Sequence, residues 1–279
     1  MRTPPQNLAD CHATAMPLVV TRFETCDSTN RALLAAAEAG APAGSVFVAR
    51  AQTAGRGRRG RAWVAEPGCT LAFSLLWTFP IDTAALSGLS LAVGVGIQRA
   101  LTDPALGAPK AGFQTGLKWP NDILVRSPDG SDAKAGGILI ESVLRRTAQG
   151  AREMAVIIGV GLNCLPSVAV TAMVADQSIA ALADSYEAPE RLQPEVLLPI
   201  VLTALQQTLS EFAVGGFAAL REAWLAAHLW QGAAVRISEA GAALLDGELR
   251  GVDADGALCI ATPTGMERVI TGDVSLRKV

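Results

Sequence analysis

The sequence has little of what many enzymes use for catalysis, because only two histidines, His12 and His228, occur in 279 residues. Histidine is the commonest general base and metal ligand, so this scarcity argues against histidine-based catalysis and histidine-rich metal sites. The five cysteines are scattered, odd in number and without a Cys-x-x-Cys pair. They do not form the pattern of a disulfide framework or a zinc site. Such thiols suit a reducing compartment, and we expect a cytoplasmic protein.

Charge of one sign is not in excess either. The 23 Lys and Arg residues against 26 Asp and Glu residues give a net charge of −3, which argues against a general nucleic-acid binder. No signal peptide is visible, and no continuous apolar run reaches the roughly 20 residues that cross a bilayer. We therefore expect a soluble protein that does not bind membranes. Residues 1–17 are predicted to form a flexible tail.

Two sequence patterns divide the rest of the chain. Half of the residues are hydrophobic, which is enough for a sizeable core. Strands and helices are mixed over residues 18–230, whereas short strands with Asp-Gly and Thr-Gly turns follow Ala234. The sequence predicts an α+β domain over 18–230 and a small β-barrel over 231–279. Predicted strands lie at 18–24, 46–49, 71–77 and 154–160, and predicted helices at 31–39, up to 101, 179–184, 194–213 and 216–229.

The most distinctive segment is the loop from Ala51 to Trp63, which has four arginines and three glycines between two apolar runs. We call residues 53–63 the Arg-Gly loop. Glycine permits positive φ and close backbone approach to a ligand, while arginine binds phosphate and carboxylate groups. Gln52 and Trp63 add a planar amide and an aromatic face. The loop suits a polyanion that carries a flat ring, such as an adenylate. A solvated surface loop or one that contacts nucleic-acid phosphates would have a similar composition.

The same loop contains Gly-x-Gly-x-x-Gly at residues 55–60, the spacing of the dinucleotide-binding fingerprint. That fingerprint requires an amphipathic helix directly after the glycines. Trp63, Pro67 and Gly68 lie where this helix should run. We therefore reject a dinucleotide-binding fold.

Four further clusters of polar or small residues occur, at 27–30, 118–122, 134–137 and 159–163. The first opens a helix and the others lie at strand ends, where a sheet positions functional groups. Each alone has a structural explanation, such as a helix cap, a Pro-Asn-Asp turn or a solvated lysine. Together with the Arg-Gly loop they predict one site for an anionic nucleotide. Lys118 and Lys134 would supply cations, and Asn121 and Asn163 amides.

Taken in order, these segments resemble the motifs of biotin–protein ligases (biotin–[acetyl-CoA-carboxylase] ligases). The matching motifs are Asp-Ser-Thr-Asn at 27–30, Gln-Thr-Ala-Gly-Arg-Gly-Arg-Arg-Gly-Arg-Ala-Trp at 52–63, Lys-Trp-Pro-Asn-Asp at 118–122, Lys-Ala-Gly-Gly-Ile-Leu at 134–139 and Gly-Val-Gly-Leu-Asn at 159–163. Ser-Leu-Arg at 275–277 fits the family's C-terminal barrel. The resemblance covers about residues 20–278. One motif alone is weak, but the ordered set is highly specific.

The resemblance implies a mixed sheet with helices on one side, as in class II aminoacyl-tRNA synthetases, and an SH3-like C-terminal barrel. It also implies two half-reactions. Biotin and ATP, with Mg²⁺ expected, first give biotinyl-5′-AMP and pyrophosphate. A lysine amine of the biotin carboxyl carrier protein domain of acetyl-CoA carboxylase then displaces AMP. No protein nucleophile is needed, so catalysis would come from positioning and charge neutralisation.

The family pattern also assigns the site residues. Lys134 would contact the biotin carboxylate and the α-phosphate, and with Arg58 it is the predicted catalytic pair. The predicted biotin-binding residues are Ser28, Thr29, Asn30, Gln52, Gly55, Arg56, Lys134 and Gly136. The predicted ATP-binding residues are Arg56, Arg58, Arg61, Trp63, Lys118, Asn121, Asp122, Asn163 and Arg277. No metal ligand is assigned. The Arg-Gly loop should be mobile when empty and close over ligand.

Two departures from the family pattern bear on these expectations. Many members carry an N-terminal winged helix-turn-helix, whereas only a tail precedes Val19 here. We therefore expect a monofunctional ligase that does not bind DNA specifically, and we name a homodimer as one assembly that the chain could form. Residues 64–68 also differ from the Ser-Pro that often follows the loop, which leaves the path of the loop open.

Two rival functions are also consistent with parts of the sequence. A lipoate–protein ligase shares the fold and the chemistry but does not normally carry an Arg-rich glycine loop. A non-catalytic nucleotide- or RNA-binding protein could use the Arg-Gly loop to hold phosphates. It would bind RNA in a salt-sensitive way and would not turn over ATP.

Overall fold

The computed structural model describes residues 16–79, 86–146, 150, 152–172, 178–239, 242–270 and 274–279. Nearly all of the predicted tail, with Cys11 and His12, lies outside these ranges. So does the segment 82–84, where the sequence suggested that a long helix begins.

The centre of the protein is a seven-stranded sheet in the order β1-β2-β3-β7-β6-β5-β4. Its strands are β1 Val19–Cys26, β2 Ser45–Gln52, β3 Thr70–Phe79, β4 Gln114–Lys118, β5 Asp122–Arg126, β6 Asp132–Arg146 and β7 Arg152–Asn163. β1 runs parallel to β2, and the other neighbours are antiparallel. The prediction of a mixed sheet in an α+β fold is therefore confirmed.

Helices cover both faces of this sheet. They are α1 Thr29–Glu38, α2 Leu89–Leu101, α3 Val168–Ala172, α4 Pro194–Gly215 and α5 Arg221–Ala227. On β3, Leu75 belongs to the core cluster that contains α2 and α4, whereas Leu76 packs in a second cluster with Leu33 of α1. Neighbouring residues of a strand point to opposite faces, so the prediction of helices on one side is wrong. Successive residues of β3 are buried almost without exception, as expected for a strand with both faces covered.

α4 meets the length and hydropathy criteria for a membrane span, with 22 residues and a mean hydropathy of 1.3. This was not expected from the sequence, in which no continuous apolar run reaches about 20 residues. Half of the most apolar window is buried inside the protein, and the helix packs against α2 and β3. One such helix is weak evidence for a membrane protein, because core helices of soluble proteins have the same composition. In the described structure α4 is a core helix.

Two predicted helices differ from the structure. Residues 179–184 contain only a 3₁₀ turn, Leu182–Ser185, because Ile179 instead forms a parallel bridge with Lys134. The predicted helix over 216–229 is divided into the 3₁₀ turn Phe217–Ala219 and the shorter α5.

The C-terminal residues form a second, antiparallel sheet in the order β11-β10-β9-β8-β12. Its strands are β8 Ala234–Glu239, β9 Ala242–Val252, β10 Leu258–Thr262, β11 Gly265–Val269 and β12 Val274–Lys278. A separate C-terminal β unit is therefore confirmed, while the boundary at residue 230 stays a prediction. The buried Trp119 Nε1 donates to the Gly256 carbonyl at 3.1 Å, which joins this unit to the first sheet.

Candidate active site

A cavity of 450 Å³ lies beside the first sheet on the face that carries α1. Segments from the whole length of the chain line it, including β12 of the second sheet. The predicted site residues on its wall are Ser28, Thr29, Asn30, Gln52, Arg56, Arg58, Arg61, Trp63, Lys118, Asn121, Asp122, Lys134 and Arg277. Because these residues are up to 249 positions apart in the numbering (277 − 28), only the tertiary fold could bring them together.

The floor of the cavity exists because glycines replace side chains on this face. Gly161 of β7 is paired with Gly137 of β6, and Gly159 lies two residues away on the same face. A Cβ on Gly161 would lie closer than 3.0 Å to the Trp63 ring, and one on Gly159 equally close to the Asn30 amide. The glycines are therefore needed for close approach, and the Trp63 ring rests directly on the sheet.

One end of the cavity is lined by hydroxyl and amide groups at the start of α1. Ser28, Thr29 and Asn30 are all buried. The Gln52 side-chain oxygen accepts from the Thr29 amide at 2.8 Å, and Thr29 Oγ1 lies 3.3 Å from the same oxygen. Ser28 is the N-cap, but its side chain makes no capping hydrogen bond. The explanation of this motif as only a helix cap is therefore not supported. The donors and acceptors here suit a polar, neutral ring.

Two residues of this end were missed by the sequence analysis. Ser74 is fully buried in β3; its hydroxyl donates to Asn30 Oδ1 at 2.5 Å, and its Oγ lies 2.8 Å from Thr29 Oγ1. Glu141 of β6 accepts from Asn30 Nδ2 at 2.8 Å and lies 3.7 Å from Arg56. The signal was present for Ser74, since a lone hydroxyl within an apolar run needs a buried partner. No such signal marked Glu141, which is an acidic residue at the end of an apolar run.

The Arg-Gly loop forms a small hairpin over the cavity. Trp63 N donates to Gly55 O at 2.9 Å, and Gly57 N donates to Arg61 O at 2.8 Å. Gly60 adopts a φ of +69°, while Gly55 is required because a Cβ there would meet the Trp63 carbonyl. Gly55 and Gly60 therefore serve different purposes, whereas a Cβ on Gly57 would make only an ordinary contact with Arg61 O, at 3.7 Å. The mobility of the empty loop stays a prediction.

The other end of the cavity is cationic and is organised by one carboxylate. Lys134 Nζ lies 2.5 Å from Asp122 Oδ1, and Lys118 Nζ lies 3.7 Å from Asp122 Oδ2. Arg58 reaches the same segment, donating to Asn121 Oδ1 at 3.3 Å. The Lys134 backbone is fixed by the bridge to residues 178–180, with Lys134 N donating to Ser178 O at 2.8 Å. This end of the cavity is suited to phosphate oxygens.

Lys118 is the most buried of these cations, with 8% of its surface exposed. Burial lowers the pKa of its ammonium group, Asp122 opposes this shift, and the charges of Arg277 and Lys134 add to it. Its Nζ also lies 4.6 Å from the centre of the Trp230 ring, a cation–π distance. A phosphate oxygen beside Lys118 would stabilise the ammonium form, as Asp122 already does.

Three predicted site residues do not lie on the cavity wall. Gly55 and Gly136 are close-contact positions, since a Cβ on Gly136 would meet the Leu162 side chain and the Gly161 carbonyl. The buried Asn163 side chain lines a neighbouring recess, where its Nδ2 lies 3.4 Å from Ala180 O and its Oδ1 has no partner among the described residues. The predicted contact of Asn163 with adenine stays a prediction.

Comparison with known proteins agrees with this geometry. Residues 22–163 match the biotin/lipoate A/B protein ligase family, and residues 232–277 match the biotin protein ligase C-terminal domain. The chain belongs to the biotin/lipoate A/B protein ligase family. The first match contains every segment of the cavity except β12 and the bridge at 178–180, and the second contains β12 up to Arg277. Membership therefore covers both sheets of the fold.

Individual relatives point in the same direction. The chain is 31% identical over 248 residues to the biotin–[acetyl-CoA-carboxylase] ligase of Paracoccus denitrificans, covering 89% of this chain and 96% of that ligase. It is also 31% identical over 251 residues to the bifunctional ligase/repressor BirA of Escherichia coli, covering 90% of this chain and 72% of BirA. The fold is similar to that of the biotin protein ligase from Aquifex aeolicus solved with biotin and ATP. That comparison has a TM-score of 0.69 and 23% identity and covers 93% and 99% of the two chains.

Proposed function

We propose that this protein is an ATP-dependent biotin–protein ligase, which makes biotinyl-5′-AMP and transfers biotin to a lysine of a biotin carboxyl carrier protein. One observation carries this function beyond family membership. The hydroxyl-lined end of the cavity and its cationic end lie in one space of 450 Å³, with Lys134 on its wall. That is the arrangement required by a ligand that joins a neutral ring to a phosphate.

The first half-reaction needs charge neutralisation rather than a protein nucleophile. A biotin carboxylate oxygen attacks the α-phosphorus of ATP, the bond to the bridging oxygen breaks, and pyrophosphate leaves with the electron pair. Negative charge builds on the phosphoryl oxygens in the transition state. Lys134 would neutralise this charge, and so would Arg58 when the Arg-Gly loop closes over the ligand, because preformed cations stabilise developing charge without reorganisation. Asp122 holds the Lys134 ammonium 2.5 Å away until phosphate replaces it.

The second half-reaction requires an amine from the carrier. The neutral amine of the target lysine attacks the acyl carbon of biotinyl-5′-AMP, the acyl–oxygen bond breaks, and AMP leaves as the phosphate monoester. The amine loses a proton to the surroundings as the amide forms. The chain's contribution is to hold the mixed anhydride away from water while its acyl carbon stays accessible. We propose the carrier domain of acetyl-CoA carboxylase as the partner.

The two substrates would lie in opposite halves of the cavity. Ser28, Thr29 and Gln52 would contact the ureido ring of biotin, because this end offers both donors and acceptors. The Trp63 ring lies on Gly161, between the two halves of the cavity. Its indole Nε1 has no hydrogen-bond partner among the described residues. The indole would pack beside the adenine ring. Lys118 and Arg277 would contact the phosphates.

Mg²⁺ fits this site as a companion of ATP. Within the described part of the chain no three His, Cys, Asp or Glu side chains form a metal-binding group. Mg²⁺ commonly needs only one or two carboxylates when substrate phosphates and water complete its shell. The Asp122 carboxylate, on the cavity wall, would hold it through Oδ2, the oxygen that Lys134 does not contact. When bound, the ion would neutralise charge on the phosphates.

Several further expectations from the sequence belong to this proposal. We propose a cytoplasmic protein, since biotin carriers and ATP are available there. We also propose that the first sheet and its helices have the class II aminoacyl-tRNA synthetase architecture and that the second sheet is an SH3-like barrel. A homodimer and the lack of specific DNA binding stay predictions from the sequence.

Pyrophosphate release distinguishes the proposed function from its rivals. We expect release with ATP and biotin together, and biotin on one lysine of an added carrier domain. Lipoate should not replace biotin. Pyrophosphate release with lipoate but not with biotin would establish the lipoate ligase instead. Salt-sensitive RNA binding without any biotin-dependent release would establish the RNA-binding protein.

A further inference from the structure

A second charged cluster joins the two sheets just outside the cavity, and the reaction described above does not use it directly. We call it the junction cluster, and it consists of Arg126, Asp132, Trp230 and Lys278. Asp132 is at its centre, with only 8% of its side chain exposed. Arg126 donates to its two oxygens at 2.7 and 2.9 Å, Trp230 Nε1 donates at 2.8 Å, and Lys278 Nζ donates at 2.6 Å.

The members of this cluster come from different parts of the fold. Arg126 ends β5, Asp132 begins β6, Trp230 follows α5, and Lys278 ends β12. The carboxylate therefore ties the last strand of the second sheet to the strand of the first sheet that carries Lys134. Burial of a carboxylate is unfavourable unless hydrogen bonds of good geometry compensate the loss of water. Asp132 accepts four such bonds from guanidinium, ammonium and indole groups, which indicates that its position matters.

The cluster touches the cationic end of the cavity at two points. Lys278 directly follows Arg277, and Arg277 is on the cavity wall. The Trp230 ring receives Lys278 Nζ on its face at 5.2 Å and Lys118 Nζ at 4.6 Å. Trp230 is itself held by the hydrogen bond to Asp132. Asp132 can therefore affect the positions of two cations that it does not contact.

We propose that Asp132 is a positioning residue for the use of ATP: through Lys278 and Trp230 it fixes Arg277 and Lys118 where they meet the polyphosphate. This inference rests on the proposed function. The biotin end of the cavity, at Ser28 and Thr29, has no contact with the junction cluster in the described structure. Loss of the Asp132–Lys278 ion pair should therefore change the response to ATP and not the response to biotin.

Lys278→Met is the variant that tests this inference, because methionine keeps much of the side-chain length but cannot donate to Asp132. Replacing Asp132 instead would leave Arg126 and Trp230 Nε1 without their buried partner and could unfold the protein. In biotin-dependent pyrophosphate release, we expect Lys278→Met to raise the KM for ATP about tenfold, a change of about 1.4 kcal/mol. The KM for biotin should stay within about twofold of the wild-type value. The urea midpoint should equal that of the wild type within error.

Two companion variants make the result specific. Lys278→Arg can still reach Asp132 and should restore the KM for ATP to within about threefold of the wild-type value. Arg250→Met removes an ion pair of similar length, 2.9 Å to Glu248, that is exposed on β9 of the same sheet. It is the matched control and should behave as the wild type, because exposed pairs contribute little.

The possible results separate the inference from the proposed function. An unchanged KM for ATP in Lys278→Met would overturn the role of Asp132 while leaving the ligase intact. An equal rise of both KM values together with a lower urea midpoint would also overturn it, since the ion pair would then be only structural. No biotin-dependent pyrophosphate release by the wild type would overturn the proposed function, and the inference with it.

Discussion

Lys134 lies beside Asp122 at the cationic end of the cavity, and its ammonium group is the feature on which the chemistry depends. With Lys134→Ala we expect the rate of adenylate formation to fall by at least about 10²–10³-fold, because one preformed charge contributes about 3–4 kcal/mol to such transition states. Single-turnover formation of the adenylate measures this. Lys110→Ala, which removes an ammonium group bound to Asp184 O at 2.9 Å outside the cavity wall, is the control. A wild-type single-turnover rate in Lys134→Ala would refute the assignment.

Arg58 donates to Asn121 at 3.3 Å, so it links the Arg-Gly loop to the cationic end of the cavity. With Arg58→Gly we expect the activated ester to escape, because the closed loop loses this contact. Labelling of bystander proteins at many lysines would rise, measured by streptavidin blot and mass spectrometry. Arg59→Gly removes the same charge at a residue whose φ of 60° suits glycine, and it keeps the Arg58–Asn121 bond. Labelling confined to the carrier lysine in Arg58→Gly would contradict this role.

Gly161 and Gly137 are neighbours on the floor, yet they should respond differently to the same added methyl group. A Cβ on Gly161 would come closer than 3.0 Å to the Trp63 ring, while one on Gly137 would have its nearest neighbour, Lys134, at 3.4 Å. We expect Gly161→Ala to weaken ATP binding at least about tenfold, since about 1–3 kcal/mol is typical of overpacking. Gly137→Ala should cost much less. Calorimetric titration with ATP compares them, and equal affinities would contradict the role of Trp63.

At this scale the sequence predicted the residues that belong to motifs and missed those that support them. Lys118, Asn121 and Asp122 were recognisable because charged and amide groups follow one another at a strand end. Ser74 was marked only as a lone hydroxyl in an apolar run, and nothing marked Glu141 or Asp132, because the partners that give these residues their roles lie far away in the chain. Asp132 is 146 positions from Lys278 (278 − 132), and nothing local indicates that pairing.

At the scale of elements, α5 ends beside a buried histidine that the proposed reaction does not use. His228 is 5% exposed and stacks on Trp224 with ring centres 4.4 Å apart. Neither of its ring nitrogens has a hydrogen-bond partner among the described residues. Burial, followed by the nearby charge of Arg126, lowers the pKa of His228 from 6.5 to about 3. The unfolded chain therefore binds a proton between these two pH values and the native state does not.

This difference makes the protein less stable as the pH falls below 6.5. The loss from His228 should reach about 3 kcal/mol at pH 4.5, two pH units below the unfolded pKa. His228→Phe keeps the stacking on Trp224 but cannot titrate. Urea unfolding at pH 7 and pH 4.5 should show that the variant loses about 3 kcal/mol less than the wild type on acidification. Equal losses in both proteins would show that His228 does not titrate in this way.

The strands were easier to predict than their arrangement. β3 and β7 were recognisable as apolar runs, and the turns of the second sheet as Asp-Gly and Thr-Gly pairs. Which helix covers which face was not, because that depends on long-range packing rather than on local periodicity. The helix expected at 179–184 failed for the same reason: Ile179 pairs with Lys134, 45 positions earlier (179 − 134), and this tertiary pairing overrides the local helix preference.

At the scale of the whole molecule, the site depends on two sheets rather than one. The first sheet supplies the glycine floor, the hydroxyl groups of α1 and Lys134, whereas the second supplies Arg277 from β12. The junction cluster and the Trp119–Gly256 hydrogen bond hold the sheets together. The two family matches lie on the two sheets, so the strand residues that each sheet contributes to the cavity lie within a matched range.

The central claim is that this cavity holds a single acyl-adenylate across both of its halves. The most direct measurement is acid-quench mass spectrometry of the purified protein mixed with biotin, ATP and Mg²⁺ in the absence of any carrier. We predict about one biotinyl-5′-AMP per protein, none when biotin or ATP is omitted, and a large loss in Lys134→Ala. A wild-type protein that binds both substrates and yields no biotinyl-5′-AMP would contradict the account.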